Sequence, residues 1–151
     1  MKRRVLKFGG SSVADFTKIK NIAEMLKTRV EQGEELIVVV SAMGKTTDQL
    51  MENVSTLTST PKDQELALLL TTGEQQTVSY LSMVLNDIGI RAKAMTGYQA
   101  GIKTIGHHLK SKIAEIDPTT FETAFNKHDV LVIAGFQGIN EDYELTTLGR
   151  G

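Results

Sequence analysis

The sequence has 151 residues, 40% apolar and 23% charged, so it is long enough to bury a core and too apolar to remain disordered. Its formal net charge of -1 argues against the basic face of a nucleic-acid binder. The absence of cysteine excludes disulfides, zinc-thiolate sites and cysteine nucleophiles.

Met1-Lys2-Arg3-Arg4-Val5-Leu6-Lys7 opens like the basic head of a secretion signal. Lys7 and Gly9-Gly10 then interrupt the apolar run. No stretch approaches the ~18 apolar residues of a membrane span, so a cytoplasmic protein is expected. Val5 to Phe8 reads as a short strand closed by Gly9-Gly10. Ser11-Ser12 are expected to open a helix, with Ser12 and Asp15 at capping-box spacing. Ile19, Ile22, Ala23, Leu26 and Val30 recur at helical spacing, and Gly33 ends the run. Leu36-Ile37-Val38-Val39-Val40 is a continuous apolar, mostly β-branched segment, the pattern of a parallel strand buried on both faces. The opening is therefore a βαβ unit.

Leu50, Met51, Val54 and Leu57 predict a helix after Thr46-Thr47, broken at Thr58-Ser59-Thr60-Pro61. Val78, Leu81, Leu85 and Ile88 predict another, preceded by Thr71 to Gln76 and stopped by Gly89. Ile90 to Met95 suits a strand, and residues 107 to 116 fit either a helix or a strand. Asp117-Pro118 has the order of an N-cap and first-turn proline. Val130 to Ala134 is a second buried strand, followed by a loop at Gly135-Phe136-Gln137-Gly138. The expected fold is α/β: a three-layer αβα sandwich around a mainly parallel central sheet. Ligands in such sheets sit beyond the carboxyl ends of the strands, which selects the loops after Phe8, Val40, Met95 and Ala134.

Several of these loops carry chemistry-bearing residues. Gly9 and Gly10 let backbone approach an anion, their N–H groups add to the positive end of the helix that Ser11 and Ser12 are expected to open, and Lys7 adds a mobile positive charge. A plain tight turn with a solvated lysine fits the same spacing. Gly44-Lys45-Thr46 looks like the end of a Walker A loop, but Val39 stands where that motif requires glycine, so the motif is rejected. Ser41 and Thr47 can donate hydroxyls to a polar ligand, although position alone favours a helix cap by Thr46, Thr47 or Asp48. Glu74 can bind an ammonium, although spacing alone favours simple compensation of a helix dipole. His107 and His108 lack metal-ligand spacing, and no metal site is expected. Arg150, between glycines, can offer a bidentate fork to a carboxylate or a phosphate, with a disordered terminus as the alternative.

Taken together and in order, these loops resemble the aspartate kinases of the amino-acid kinase family, most closely the monofunctional bacterial type. The segments are Lys7 to Val13, Val39 to Thr47, Thr72-Gly73-Glu74, Thr96 to Gly101, Ala134 to Gly138 and Thr146 to Gly151. The resemblance implies a carbamate kinase-like fold and transfer of the ATP γ-phosphoryl group to the β-carboxylate of L-aspartate, with Mg2+. That is the entry step to lysine, threonine, methionine and diaminopimelate. It assigns Lys7 to the transferred phosphoryl group and Gly9, Gly10 and Ser11 to the phosphate cradle. Ser41 and Thr47 fall in the aspartate site, Glu74 on the substrate amino group, and Arg150 on its α-carboxylate. In the family, Gly149-Arg150-Gly151 continues into Gly-Ser-Asp. The resemblance thus makes residues 1–151 the N-terminal portion of a kinase domain, lacking most of the nucleotide half and the regulatory ACT domains. Little turnover and a tendency to self-associate are expected of these residues alone, and a homo-oligomer of the full-length protein. A sister kinase acting on glutamate or acetylglutamate, and a non-catalytic binding fragment, are the competing expectations.

Overall fold

The computed structural model describes residues 2–149. Four strands, β1 (Lys2–Phe8), β2 (Glu34–Val40), β6 (Val130–Ala134) and β3 (Ala92–Met95), form one sheet in the order β1-β2-β6-β3. Every neighbouring pair is parallel. The two apolar runs read from the sequence, β2 and β6, occupy the centre, where both faces are covered.

Alternation along these strands divides the core in two. Leu36, Val38, Val40, Val130, Val132 and Ala134 face α1 (Phe16–Glu31) and α3 (Asp63–Asp87), which contribute Ile19, Ile22, Leu26, Val78, Leu81 and Leu85. Leu131, Ile133 and Met95 face the other way, against Ala124 and Phe125 of α4 (Pro118–Phe125). The three-layer αβα arrangement is therefore as expected. α2 (Thr46–Leu57) packs on α3 at the side and buries none of its residues fully.

The basic head is used structurally. Arg3 pairs with Glu35 at 3.0 Å, pairs with Glu122, and lies 4.4 Å over the Phe125 ring. Arg4 pairs with Glu34 at 3.1 Å. These contacts hold β1 to its neighbour and to α4.

Two helix starts differ from expectation. α1 begins at Phe16 rather than at Ser11-Ser12, because residues 10–14 continue as turns and Asp15 supplies the cap. Its Oδ1 accepts from Lys18 N at 2.8 Å, so no Ser12–Asp15 capping box forms. α3 begins at Asp63, which places Thr71 to Gln76 inside the helix instead of before it. An interior glycine costs about 1 kcal/mol in a helix, and Gly73 hid its continuity. Asp117 and Pro118 do start α4 as expected, with Thr119 N donating to Asp117 Oδ1 at 3.0 Å.

A second sheet was not anticipated. It contains β4 (Ile102–Ile105), β5 (Lys112–Ile116), β7 (Gln137–Ile139) and β8 (Leu145–Thr147) in the order β5-β4-β7-β8. It resolves the ambiguity over 107–116 in favour of a strand, and it converts part of the Gly135–Gly138 loop into β7. Its strands are short, and its interior includes hydroxyls in place of an apolar stripe. Thr104 and Thr146 hydroxyls lie 2.7 Å apart, and Ser111 Oγ lies 2.9 Å from Thr146 Oγ1. Hydrophobic periodicity has little to register there.

The corrected cap is directly testable. Asp15→Ala should destabilise the chain by about 1 kcal/mol in urea denaturation, and Ser12→Ala by far less. Equal losses would place the cap at Ser12.

Candidate functional site

The register of the parallel sheet sets the site. Phe8 pairs with Val40, Val40 with Ala134, and Met95 with Ile133. The strands thus end nearly flush, and their following loops emerge along one edge.

The loop after β1 is stitched to the loop after β2. Ser41 N donates to Phe8 O at 3.1 Å, and Gly44 N donates to Gly10 O at 3.0 Å. A side chain at Gly10 would place Cβ 3.2 Å from Ala42 O, so close backbone approach explains that glycine. At Gly9 a Cβ would meet nothing within 4 Å, so its outer side is open. Ser12 N bonds to Gly9 O at 3.0 Å and Lys18 Nζ bonds to Ser11 O at 2.9 Å, fixing the turn. No described residue accepts from the Gly10 or Ser11 amide. Lys7, exposed on β1, lies just before this turn. Open glycine backbone, free amides and a lysine suit an anion.

Ser41 is half-buried, and Thr47 lies exposed in the first turn of α2. Neither Thr46, Thr47 nor Asp48 caps α2. Lys45 occupies the cap position, and no side chain bonds there. The helix-cap alternative for these hydroxyls is thereby removed, and the end of α2 nearest the loop keeps unsatisfied N–H groups.

α3 reaches the same place through Gly73. A Cβ there would sit 2.9 Å from Ala42 Cβ and 3.6 Å from Thr46 Cγ2, so only glycine permits this approach. The next residue, Glu74, is 6% exposed. Burial pushes its carboxyl up from an ordinary 4.5 to about 7. No described cation lies within ion-pair distance of it. Dipole compensation in a first turn does not account for Glu74, because it stands mid-helix and Asp63 and Glu65 fill that role.

A third tie was missed by sequence reasoning. Gln137, 1% exposed, accepts from Gly97 N at 3.2 Å and donates from Nε2 to Thr71 O at 3.0 Å. Its neighbour Phe136 has φ 65°, a left-handed conformation uncommon outside glycine, and stays exposed at the sheet edge. A polar residue close to glycines after a buried strand is the signal that was available.

The structure therefore joins the Gly9–Ser11 turn, just after Lys7, to the loop that begins at Ser41; Thr47 follows in the first turn of α2, and Gly73 brings the neighbouring Glu74 segment of α3 against that loop. Arg150 lies outside the described residues. His107 and His108 diverge, to Asp63 at 2.8 Å and Glu144 at 3.1 Å. Among the described residues no group of three or more His, Cys, Asp or Glu side chains is placed to hold a metal. A cavity of about 520 Å³ between β3 and α4, lined by Lys93, Gln99, Thr120 and Lys127 among others, contains none of the candidate residues. Among the described residues no helix is long and apolar enough to cross a membrane.

The amino acid kinase family model matches residues 2–151. Aspartokinase 2 of Bacillus subtilis strain 168 is 44% identical over 147 residues, covering 97% of this chain and 36% of that protein. The crystal structure of aspartate kinase from Synechocystis has a TM-score of 0.78 at 38% identity, covering all of this chain (100%) and 24% of that one. E. coli aspartokinase III in complex with aspartate and ADP has a TM-score of 0.80 at 19% identity, over 100% of this chain and 44% of that one, a likeness of fold alone. The chain spans about a third of the length of the curated relatives it matches, at 36% and 35%.

The buried carboxyl gives a signed pH dependence. Below pH 4.5 it is protonated folded or unfolded, and it contributes no penalty. Between 4.5 and about 7 the folded chain holds a proton that the unfolded chain has released, so stability falls as pH rises. At about 1.4 kcal/mol per pH unit, the full penalty above that window is about 3 kcal/mol. Glu74→Gln should therefore match the parent near pH 4 and exceed its stability by up to ~3 kcal/mol at pH 8, read by urea denaturation. A difference that stays constant with pH would show a solvated carboxylate.

Proposed function

The chain belongs to the amino acid kinase family, and on that premise we propose that it carries the phosphate cradle and much of the amino-acid site of a cytoplasmic aspartate kinase. The observation that carries the reading is a glycine turn with free backbone amides, stitched to a loop that also meets Gly73, together with a buried carboxylate that has no cationic partner among the described residues. A ligand bearing both an ammonium and a carboxylate supplies what Glu74 lacks. The 44% identity to an aspartokinase supports aspartate over a sister substrate. The E. coli relative of the same fold is described with aspartate and ADP, which supports the ligand pair.

In this reading a β-carboxylate oxygen of L-aspartate attacks the γ-phosphorus of ATP. The bond from phosphorus to the β–γ bridging oxygen breaks, and ADP leaves with that electron pair. The products are 4-phospho-L-aspartate and ADP. No proton need move, because the nucleophile is already ionised. The chain's work is then positioning and charge neutralisation. Lys7 follows the transferring group, while the amides of Gly9, Gly10 and Ser11 hold phosphate oxygens. Ser41 and Thr47 bond the aspartate, Glu74 takes its ammonium, and Arg150 pairs with its α-carboxylate. The phosphate cradle fits a nucleotide that arrives with Mg2+, whose contribution is to neutralise phosphate charge.

The test is an assay of the protein at the full length of its relatives with ATP, magnesium, hydroxylamine and either L-aspartate or L-glutamate. Hydroxylamine traps an acyl phosphate. An aspartate-specific signal that falls by roughly 10²–10³ in Lys7→Ala is expected. A folded protein with no aspartate signal, or with a preference for glutamate, would overturn the reading. Residues 1–151 alone should give little turnover.

The proposal includes self-association. β1 forms an edge of its sheet, and Val5 on it is 66% exposed. Sedimentation should show an average mass that rises with concentration. A monomer at every concentration would remove that part.

A further inference from the structure

We propose that Gln137 is a positioning residue for Glu74: its side-chain amide fixes the turn of α3 that carries the carboxylate against the loop following β3 and the start of β7. The role assigned to Glu74 rests on the function proposed above, whereas the clamp itself rests on geometry alone.

Gln137 is among the largest fully buried side chains, and both ends of its amide are engaged. Oε1 accepts from Gly97 N at 3.2 Å in the loop after β3. Nε2 donates to Thr71 O at 3.0 Å, one helical turn before Glu74. Thr71 O is an interior helix carbonyl that already faces the Gln75 amide, so α3 does not need this bond to satisfy its backbone. A carbonyl has a second lone pair, and here it receives a long-range tie instead of solvent. Burying a glutamine amide is unfavourable unless both ends are bonded, and those bonds are directional. The result is a fixed distance between α3, the loop following β3 and the start of β7.

The backbone of Gln137 is held as firmly. A Cβ on Gly97 would fall 2.4 Å from Gln137 O, and one on Gly138 would fall 2.5 Å from Thr104 Cγ2. Gln137 also pairs with Thr147 of β8, just before Leu148 and Gly149. One residue thus links the Glu74 turn, the Gly97 loop and the strand that leads to Arg150. Side-chain truncation at Gln137 would leave the folded sheets in place and free the Glu74 turn to shift.

The test uses the 151-residue chain, with Gln137→Met to preserve volume without the amide and Gln137→Asn as a gentler variant too short to span both partners. Thr104→Val serves as a control that loosens the second sheet without touching α3. The first readout is the titration midpoint of the Glu74 carboxyl carbon by NMR. The second is the ratio of affinities for L-aspartate and succinate, which differ in the ammonium that Glu74 would bind. Both glutamine variants should lower the Glu74 midpoint by about one pH unit or more and cut the aspartate preference about tenfold, with succinate affinity retained. The control should change neither, even where its melting temperature falls as far. If Gln137→Met does not fold, Gln137→Asn decides. A Glu74 midpoint unchanged in the folded glutamine variants, or one moved equally by Thr104→Val, overturns the clamp. A parent chain that binds succinate as tightly as aspartate sinks the ammonium role instead, and the midpoint still decides Gln137.

Discussion

The common register of the parallel sheet governs the rest of the molecule. Phe8, Val40 and Ala134 pair across three adjacent strands, so three loops leave the sheet at one level. Flush ends let backbone groups of different loops bond one another, as Gly44 N does to Gly10 O and Gly135 N does to Val40 O at 2.9 Å. The glycines at these crossings follow from that closeness. At Gly10 and Gly135 an added Cβ would lie 3.2 Å and 3.1 Å from a carbonyl oxygen of the neighbouring segment. A one-residue slip of β1 would turn Leu6 and Phe8 off the face they pack against and carry Lys7 with them. Packing of the core and placement of the proposed phosphate cradle are therefore the same specification.

Glu74 shows the opposing demand. The helix that carries it also buries Leu81 and Leu85 completely, so the carboxyl is placed by a rigid element and cannot turn out to water cheaply. Gly73 brings that helix onto Ala42, weakening the helix locally while closing the distance to the loop. Both residues act against stability, and both serve the site only in the proposed function. Strong apolar burial at the adjacent strands offsets them, since every residue of β6 is buried.

Much of this was legible in the sequence, and the failures have physical causes. β2 and β6 announced themselves because strands covered on both faces must be apolar throughout. The buried stripe of α1 was readable for the same reason, and its ending at Gly33 agrees with a φ of +94° there. The start of α1 was misread because Ser12 and Asp15 both suit a cap, and only tertiary contact decides between them. The second sheet was invisible because a hydroxyl cluster does not produce an apolar period. Among the site residues, loop glycines and Lys7 could be suspected from position, whereas spacing ranked Glu74 as helix-dipole compensation and only the resemblance favoured it as an ammonium site. Its burial depends on where Gly73 lets α3 approach, a fact about two distant segments. Gln137 had only a weak signal, its place among glycines after a buried strand: glutamine in such a segment ordinarily faces water, and its two partners lie 40 and 66 residues away.

On the proposed function, the two halves of the site work by different physics. The cradle side relies on backbone amides, which are fixed once the strands are in register and which tolerate changes of side chain. The amine side relies on one carboxylate whose energy depends on how far water is excluded. An amide donor loses little if its loop shifts slightly in solvent, but a buried charge gains or loses strongly with small changes in access. Rigidity is thus needed more around Glu74 than around Gly9. The arrangement of bonds agrees: Gly9 is open on its outer side, while the Glu74 turn is held by the Gly73 contact below and the Gln137 amide beside it.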